Sequence, residues 1–135
     1  MSAHEVVTAP ELAPPVGYAH AVVAAPGRTV HLGGQTALGP DGQIAGETLA
    51  EQFDVAAGNV VAALRAAGCT PEDLVSMQVF VTDVEEYRGA LAELAPLWRR
   101  HFGRRYPAMG LFGVTRLFDA AAKVELMGVA VRPDR

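Results

Sequence analysis

The sequence predicts an α+β fold in which a mixed sheet carries two helices on one face. Three observations carry this reading. Two stretches, Glu47 to Ala67 and Val84 to Phe102, repeat apolar residues at helical spacing. Each is followed by a β-rich run, so helix and strand alternate in two matching halves, and a hairpin signal precedes the first helix. That order gives a split βαβ arrangement with both helices on one side of the sheet. With 135 residues, 50% apolar and 19% charged, the chain has material for one compact core.

The elements follow in order. Residues 1–16, with Pro10, Pro14 and Pro15, read as an N-terminal arm that is irregular until docked, and 17–135 as a single domain. Tyr18 to Ala24 and Thr29 to Gly33 are short β-rich runs on either side of Pro26-Gly27, the expected hairpin. In the first helix Leu49, Phe53, Ala56, Val60, Leu64 and Ala67 share a face, and Gly68 stops it. Thr70, Pro71 and Asp73 predict a capped single turn. In the strand VSMQVFVTD, Val75, Met77, Val79 and Val81 face one way; Ser76, Gln78, Phe80 and Thr82 face the other. The second helix runs on Tyr87, Leu91, Leu94, Trp98 and Phe102, with a kink expected at Pro96. PAMGLFGVTRL and AKVELMGVAV then give two strands. No element remains to cover the second sheet face, so self-association is expected.

Composition excludes several functions. A formal charge of −4 argues against nucleic acid as a partner, and the cluster Arg99, Arg100, Arg104, Arg105 is explained by the cation preference of a helix C-terminus. His4, His20, His31, His101 and Cys69 show no metal-ligand spacing, so no metal is expected. Ser2 and Ser76 are the only serines, and neither lies in a nucleophile turn. GGQTALGPDG lacks the lysine of a phosphate loop. The start MSAHEVVTAPELAPP has no basic or apolar leader pattern, Cys69 has no partner for an intrachain disulfide, and no window approaches about 18 uninterrupted apolar residues. A cytoplasmic protein without a membrane span is expected.

GRTVHLGGQTALGPDGQIAG, then ALRAAGCTPEDLVSMQVFVTDVEEY, HFGRRYPA and AKVELMGVAV together resemble the RidA/YjgF family of reactive intermediate (imine) deaminases, over about residues 17 to 131. The resemblance implies a chorismate-mutase-like fold and a homotrimer with sheets facing inward and a small-molecule cleft between each pair of neighbours. It also implies hydrolysis of 2-imino and 2-aminoacrylate acids to keto acids and ammonia, without metal or cofactor. Tyr18, Gly34, Gln35 and Glu125 match the family's pattern. The chain departs from it where the arginine that grips the substrate carboxylate stands, since the segment reads Pro107-Ala108-Met109. The two acids of the last strand are Glu125 and Met127, the loop serine is Gly33, and the second helix lacks the family's asparagine, Asn59 of the first helix being the only one.

An apolar cleft lined by Met109, Leu111 and Met127 is self-consistent with these losses, and soft Met side chains suit an irregular apolar or aromatic ligand, although Met also fills gaps. Arg116 lies an odd separation from Met109 and points to the other face unless a bulge intervenes. His20, two positions after Tyr18, is either a proton donor and acceptor or a structural hydrogen-bonder. Glu125 is either a general base or an ion-pair partner between subunits. The expectation is a trimeric deaminase or hydrolase acting on an imine or enamine, weak on 2-iminobutanoate and 2-iminopropanoate. Tyr18, His20 and Glu125 would be catalytic, and Gly34, Gln35, Met109, Leu111 and Met127 substrate-binding. The alternative is a non-catalytic trimer that binds a small molecule or a protein.

Overall fold

The computed structural model describes residues 2–134; Met1 and Arg135, the outer ends of the two expected segments, lie outside them. The strands are β1 (Glu5–Val7), β2 (Ala21–Val23), β3 (Gly27–His31), β4 (Leu74–Val81), β5 (Ala108–Gly113) and β6 (Val124–Pro133). The helices are α1 (Leu49–Ala66), α2 (Val84–Gly89) and α3 (Leu91–Phe102), with a 3-10 turn at Pro71–Asp73 before β4. The main sheet runs β3-β6-β4-β5; β6 is antiparallel to both β3 and β4, and β4 is parallel to β5. The split βαβ reading therefore holds: β3 and β4 flank β6, and the crossover from β4 to β5 passes through α2 and α3.

Helix α1 forms where its apolar face and its cap agree. Thr48 and Glu51 make a reciprocal box, with Glu51 N donating to Thr48 Oγ1 (3.1 Å) and Thr48 N donating to Glu51 Oε1 (3.0 Å). Leu49, Phe53, Val60 and Leu64 are then buried in one cluster with Met77, Val79, Val81, Val124 and Leu126 of the sheet and Leu94, Trp98 and Phe102 of α3. Burying each large apolar side chain contributes about 1.5–3 kcal/mol, so this face holds both helices to one side of the sheet. As expected, Asp73 accepts a hydrogen bond from Thr70 N (2.9 Å) at the 3-10 turn.

Two expectations are corrected. Pro26-Gly27 does not close a hairpin. β2 pairs with β1 in a separate two-stranded sheet, and β3 pairs with β6. Gly27 serves a close approach instead, because a Cβ there would lie 2.3 Å from the Arg132 carbonyl oxygen. The arm is docked on its own chain and carries β1. His4, 6% exposed, accepts from Ala25 N at Nδ1 (2.9 Å) and bonds the Val131 carbonyl through Nε2 (3.0 Å), fixing β1. The second helix is broken at Ala90, not at Pro96. A short α2, capped by Asp83 through Glu86 N, ends at Gly89, and α3 runs through Pro96.

An ion pair joins the two long helices. Asp54 of α1 meets Arg100 and, at 2.7 Å, Nε2 of His101 on α3. The Arg100 hydrogen bond, then that of His101, holds the Asp54 carboxyl below its usual value. A depressed folded-state pKa adds stability above the unfolded value, about 3.9, and that stability is lost as pH falls through the folded value. Asp54→Asn is therefore expected to lower the urea midpoint at pH 7 and to make no difference in strong acid. The pair is exposed, so the effect is roughly 0.2–1 kcal/mol. A wild-type advantage that persisted below pH 2 would contradict the assignment.

Candidate functional site

Strand β5 is an edge strand, and its start is fixed by the segment before β2. Ala19 N donates to the Pro107 carbonyl (3.0 Å) and Ala19 bridges Ala108 in parallel. This lays Tyr18 beside β5. Met109 pairs with Met77 and Leu111 with Val79, both buried, so Met109 and Leu111 face the helix-covered side of the sheet. Tyr18, Val79, Tyr87, Leu91, Met109 and Leu111 line a recess of about 190 Å³ there. No Asp, Glu, Lys, Arg or His is among the residues lining it.

A second group lies on the opposite face. Glu125 pairs with Phe80 and Met127 with Gln78, and both point to the uncovered side. Phe80 stacks on Phe112 with ring centroids 5.6 Å apart, so this open face is apolar around the carboxylate. Gln35 and Leu126 exchange both backbone hydrogen bonds (2.8 Å each), which brings the Gly33-Gly34 turn over Glu125. A Cβ on Gly34 would sit 2.0 Å from Glu125 Oε2, so the close approach depends on glycine at this position. Among the described residues Glu125 makes no ion pair or side-chain hydrogen bond. A groove of about 500 Å³ runs along this face past Gln78, Phe112 and Met127.

The predicted residues thus divide into two half-sites. Tyr18, Met109 and Leu111 stand together on one face; Gly34, Glu125 and Met127 belong to the other, while Gln35 is registered with the buried Leu126 and holds the turn through its backbone. Met109 and Met127 point to opposite faces of the sheet within a protomer, although both border the groove along the open face. Strand parity explains the separation, because Met109 and Met127 are registered with the neighbouring β4 residues Met77 and Gln78, and those point to opposite sides.

His20 does stand near Tyr18, with ring centroids 5.9 Å apart, but both its nitrogens are engaged by the arm. Nδ1 accepts from Ala9 N (3.0 Å) and Nε2 bonds the Ala13 carbonyl (2.9 Å). The structural reading of His20 is the one this geometry matches. Arg116 is likewise occupied, donating to the carbonyls of Leu117 and Phe118 in its own loop (3.0 Å each). Two members of the basic cluster are engaged: Arg100 pairs with Asp54, and Arg105 reaches the His4 carbonyl (3.4 Å).

Sequence reasoning missed the aromatic wall behind the recess. Tyr87 and Trp98 read as core positions of a helix, and Tyr106 as part of a loop. The structure gathers them, with Trp98 and Tyr106 stacked at 5.2 Å. Burial, and then the neighbouring Tyr106, pushes the Tyr87 phenol above its ordinary pKa, so it is a hydrogen-bond donor at neutral pH. The available signal was the crowding of aromatics after Asp83 in a chain with few of them. Among the described residues no three His, Cys, Asp or Glu gather as metal ligands, and no helix is long and apolar enough to cross a membrane.

Comparison with known proteins adds to this geometry. The family model described as endoribonuclease L-PSP matches residues 8–132. The human 2-iminobutanoate/2-iminopropanoate deaminase is 26% identical over 106 residues, covering 78% of this chain and 74% of that protein. The rat protein of the same name is 27% identical over the same shares. Among solved structures, the Rid family protein YyfB of Yersinia pestis superposes with a TM-score of 0.85 at 28% identity, covering 96% of this chain and 98% of that one. Escherichia coli TdcF, solved with bound serine, gives 0.68 at 28% identity, covering 94% and 97%.

Proposed function

The chain belongs to the endoribonuclease L-PSP family, the RidA/YjgF group, and from that premise we propose that it is a homotrimeric, cofactor-free hydrolase of an imine or enamine that carries no carboxylate. The observation that carries the reading is the recess beside Tyr18, where Met109 stands in place of a cation and no lining residue is charged. A carboxylate entering it would lose its hydration with no guanidinium in return, which forfeits roughly 1.5–3 kcal/mol.

The trimer supplies what one protomer lacks. Tyr18, Met109 and Leu111 face one side of the sheet and Glu125 the other, so a second copy must bring its Glu125, Gly34, Gln35 and Met127 to the recess. The open face is suited to burial between copies: Phe112 is 46% and Met127 38% exposed, and Phe80 stacks beside them. In the joined cleft Glu125 takes a proton from water as the oxygen attacks the imine carbon. Tyr18 donates to the nitrogen, the carbinolamine expels ammonia, and a carbonyl compound remains. Where the substrate is an enamine, protonation at carbon gives the imine first.

The test is ammonia release from freshly generated imines, with a series of neutral ketimines set against 2-iminopropanoate. Faster turnover of a neutral imine is expected, with Met109→Arg raising the rate on 2-iminopropanoate about tenfold or more. Equal rates on both substrates in the unmodified protein would remove the proposal. A non-catalytic binding trimer is the second reading, favoured by the engagement of both His20 nitrogens. It gains if no imine turns over in the unmodified protein while Met109→Arg with Met127→Glu is active.

A further inference from the structure

The recess beside Tyr18 does not end at β5. A second cavity of about 240 Å³ continues it between β5, α2 and α3, and the two share Val16, Gly17, Tyr87, Leu91 and Met109 in their walls. Its inner lining comes from Phe53 and Leu94 of the core and from the stacked pair Trp98 and Tyr106. Apolar cavities of roughly 150 Å³ accept benzene, so this chamber has room for an aromatic ring with a short substituent. Its walls set the chemistry further. Trp98 and Tyr106, stacked on each other, both stand in its wall, an aromatic lining that favours a flat apolar partner. No lining residue carries a charge. Tyr87 lines both the chamber and the recess, and its hydroxyl has no hydrogen-bond partner among the described residues.

We infer that this chamber is the specificity pocket of the site, taking a flat, uncharged aryl group of the substrate, with Tyr87 donating a hydrogen bond to an acceptor on the ligand where chamber and recess meet. Tyr87 is thereby a positioning residue for the reacting group at Tyr18. The inference rests on the cleft reading above for the identity of the site, but its test does not require turnover.

Trp98 is the only tryptophan of the chain and lies in the chamber wall, so its emission reports occupancy. The measurement is titration of the whole protein with phenylacetamide, with phenylacetate and acetamide as controls. Phenylacetamide is expected to shift the emission saturably, phenylacetate to bind at least about tenfold more weakly because its charge has no partner, and acetamide to give no change. Tyr87→Phe is expected to weaken phenylacetamide about fivefold. Ala95→Phe puts a ring into the chamber from an exposed position on α3 and is expected to abolish binding. Ala92→Phe, exposed on the same helix but outside the chamber wall, should bind like the unmodified protein. Absence of a saturable shift in the unmodified protein, or unchanged binding in Ala95→Phe, overturns the inference. Aryl binding without hydrolysis of any imine leaves the chamber standing and removes the hydrolase. Hydrolysis of small imines without aryl binding does the reverse.

Discussion

Glu125→Gln is expected to lower imine hydrolysis at least a hundredfold while leaving the melting temperature within about 2 °C of the unmodified protein, since general bases contribute roughly 10²–10⁴ in rate. Two structural facts make the loss selective. The carboxylate has no ion pair or hydrogen bond to lose among the described residues, so the amide forfeits no internal partner. It also keeps the shape of the acid against Phe80, its neighbour in register on β4. Gly34→Ala should give the same phenotype by another route. The new methyl would fall 2.0 Å from Glu125 Oε2, the far end of a flexible side chain, so the carboxylate moves and the backbone stays. Parallel steady-state ammonia assays and thermal melts of both variants make the check. Full turnover in Glu125→Gln would require the base to be another group, and hydrolysis through Glu125 would have to be abandoned.

The two-half division of the site also shows which parts of the molecule were legible in sequence. Alternation along β4 was plain, because Met77, Val79 and Val81 recur with period two and are all buried. The helices were legible from apolar spacing, and the cap at Asp73 from its short-range pattern. What the sequence did not disclose was long-range pairing. Pro26-Gly27 carries the local chemistry of a turn, yet Gly27 is small for the sake of Arg132, far along the chain. Likewise the parity of Met109 is set by its register with Met77 on β4, and that of Met127 by its register with Gln78. Neither register is written locally, so the faces that the two methionines take could be read only from the assembled sheet. His20 illustrates the same limit from the side of function. Its proximity to Tyr18 followed from strand spacing, but Ala9 and Ala13, which engage its ring, come from an arm whose path no periodicity predicted.

Gln52→Leu is expected to cost about 3–5 kcal/mol, a fall of roughly 10–15 °C in melting temperature at fixed protein concentration. Gln52 is 2% exposed in the first turns of α1, and its amide is fully engaged. Nε2 donates to the carbonyls of Gly46 (3.2 Å) and Ala121 (3.0 Å), and Oε1 accepts from Lys123 N (2.8 Å). Leucine has a similar volume and would leave little cavity, so the cost comes from three backbone groups stranded away from water, each worth about 1–3 kcal/mol before relaxation. Gln52→Glu separates the terms. It keeps an acceptor for Lys123 N but sets a carboxylate oxygen against two carbonyls, so it should be no more stable than the leucine variant. The position also governs the site, because Lys123 immediately precedes β6 and Glu125 is the second residue of that strand. Loosening the Lys123 anchor frees the end of β6 that pairs Val124 with Val81, so activity should fall in Gln52→Leu even below its melting transition. A melting temperature lowered by less than about 3 °C, with activity intact, would mean that water replaces the amide and that the β6 register is held by its ladder alone.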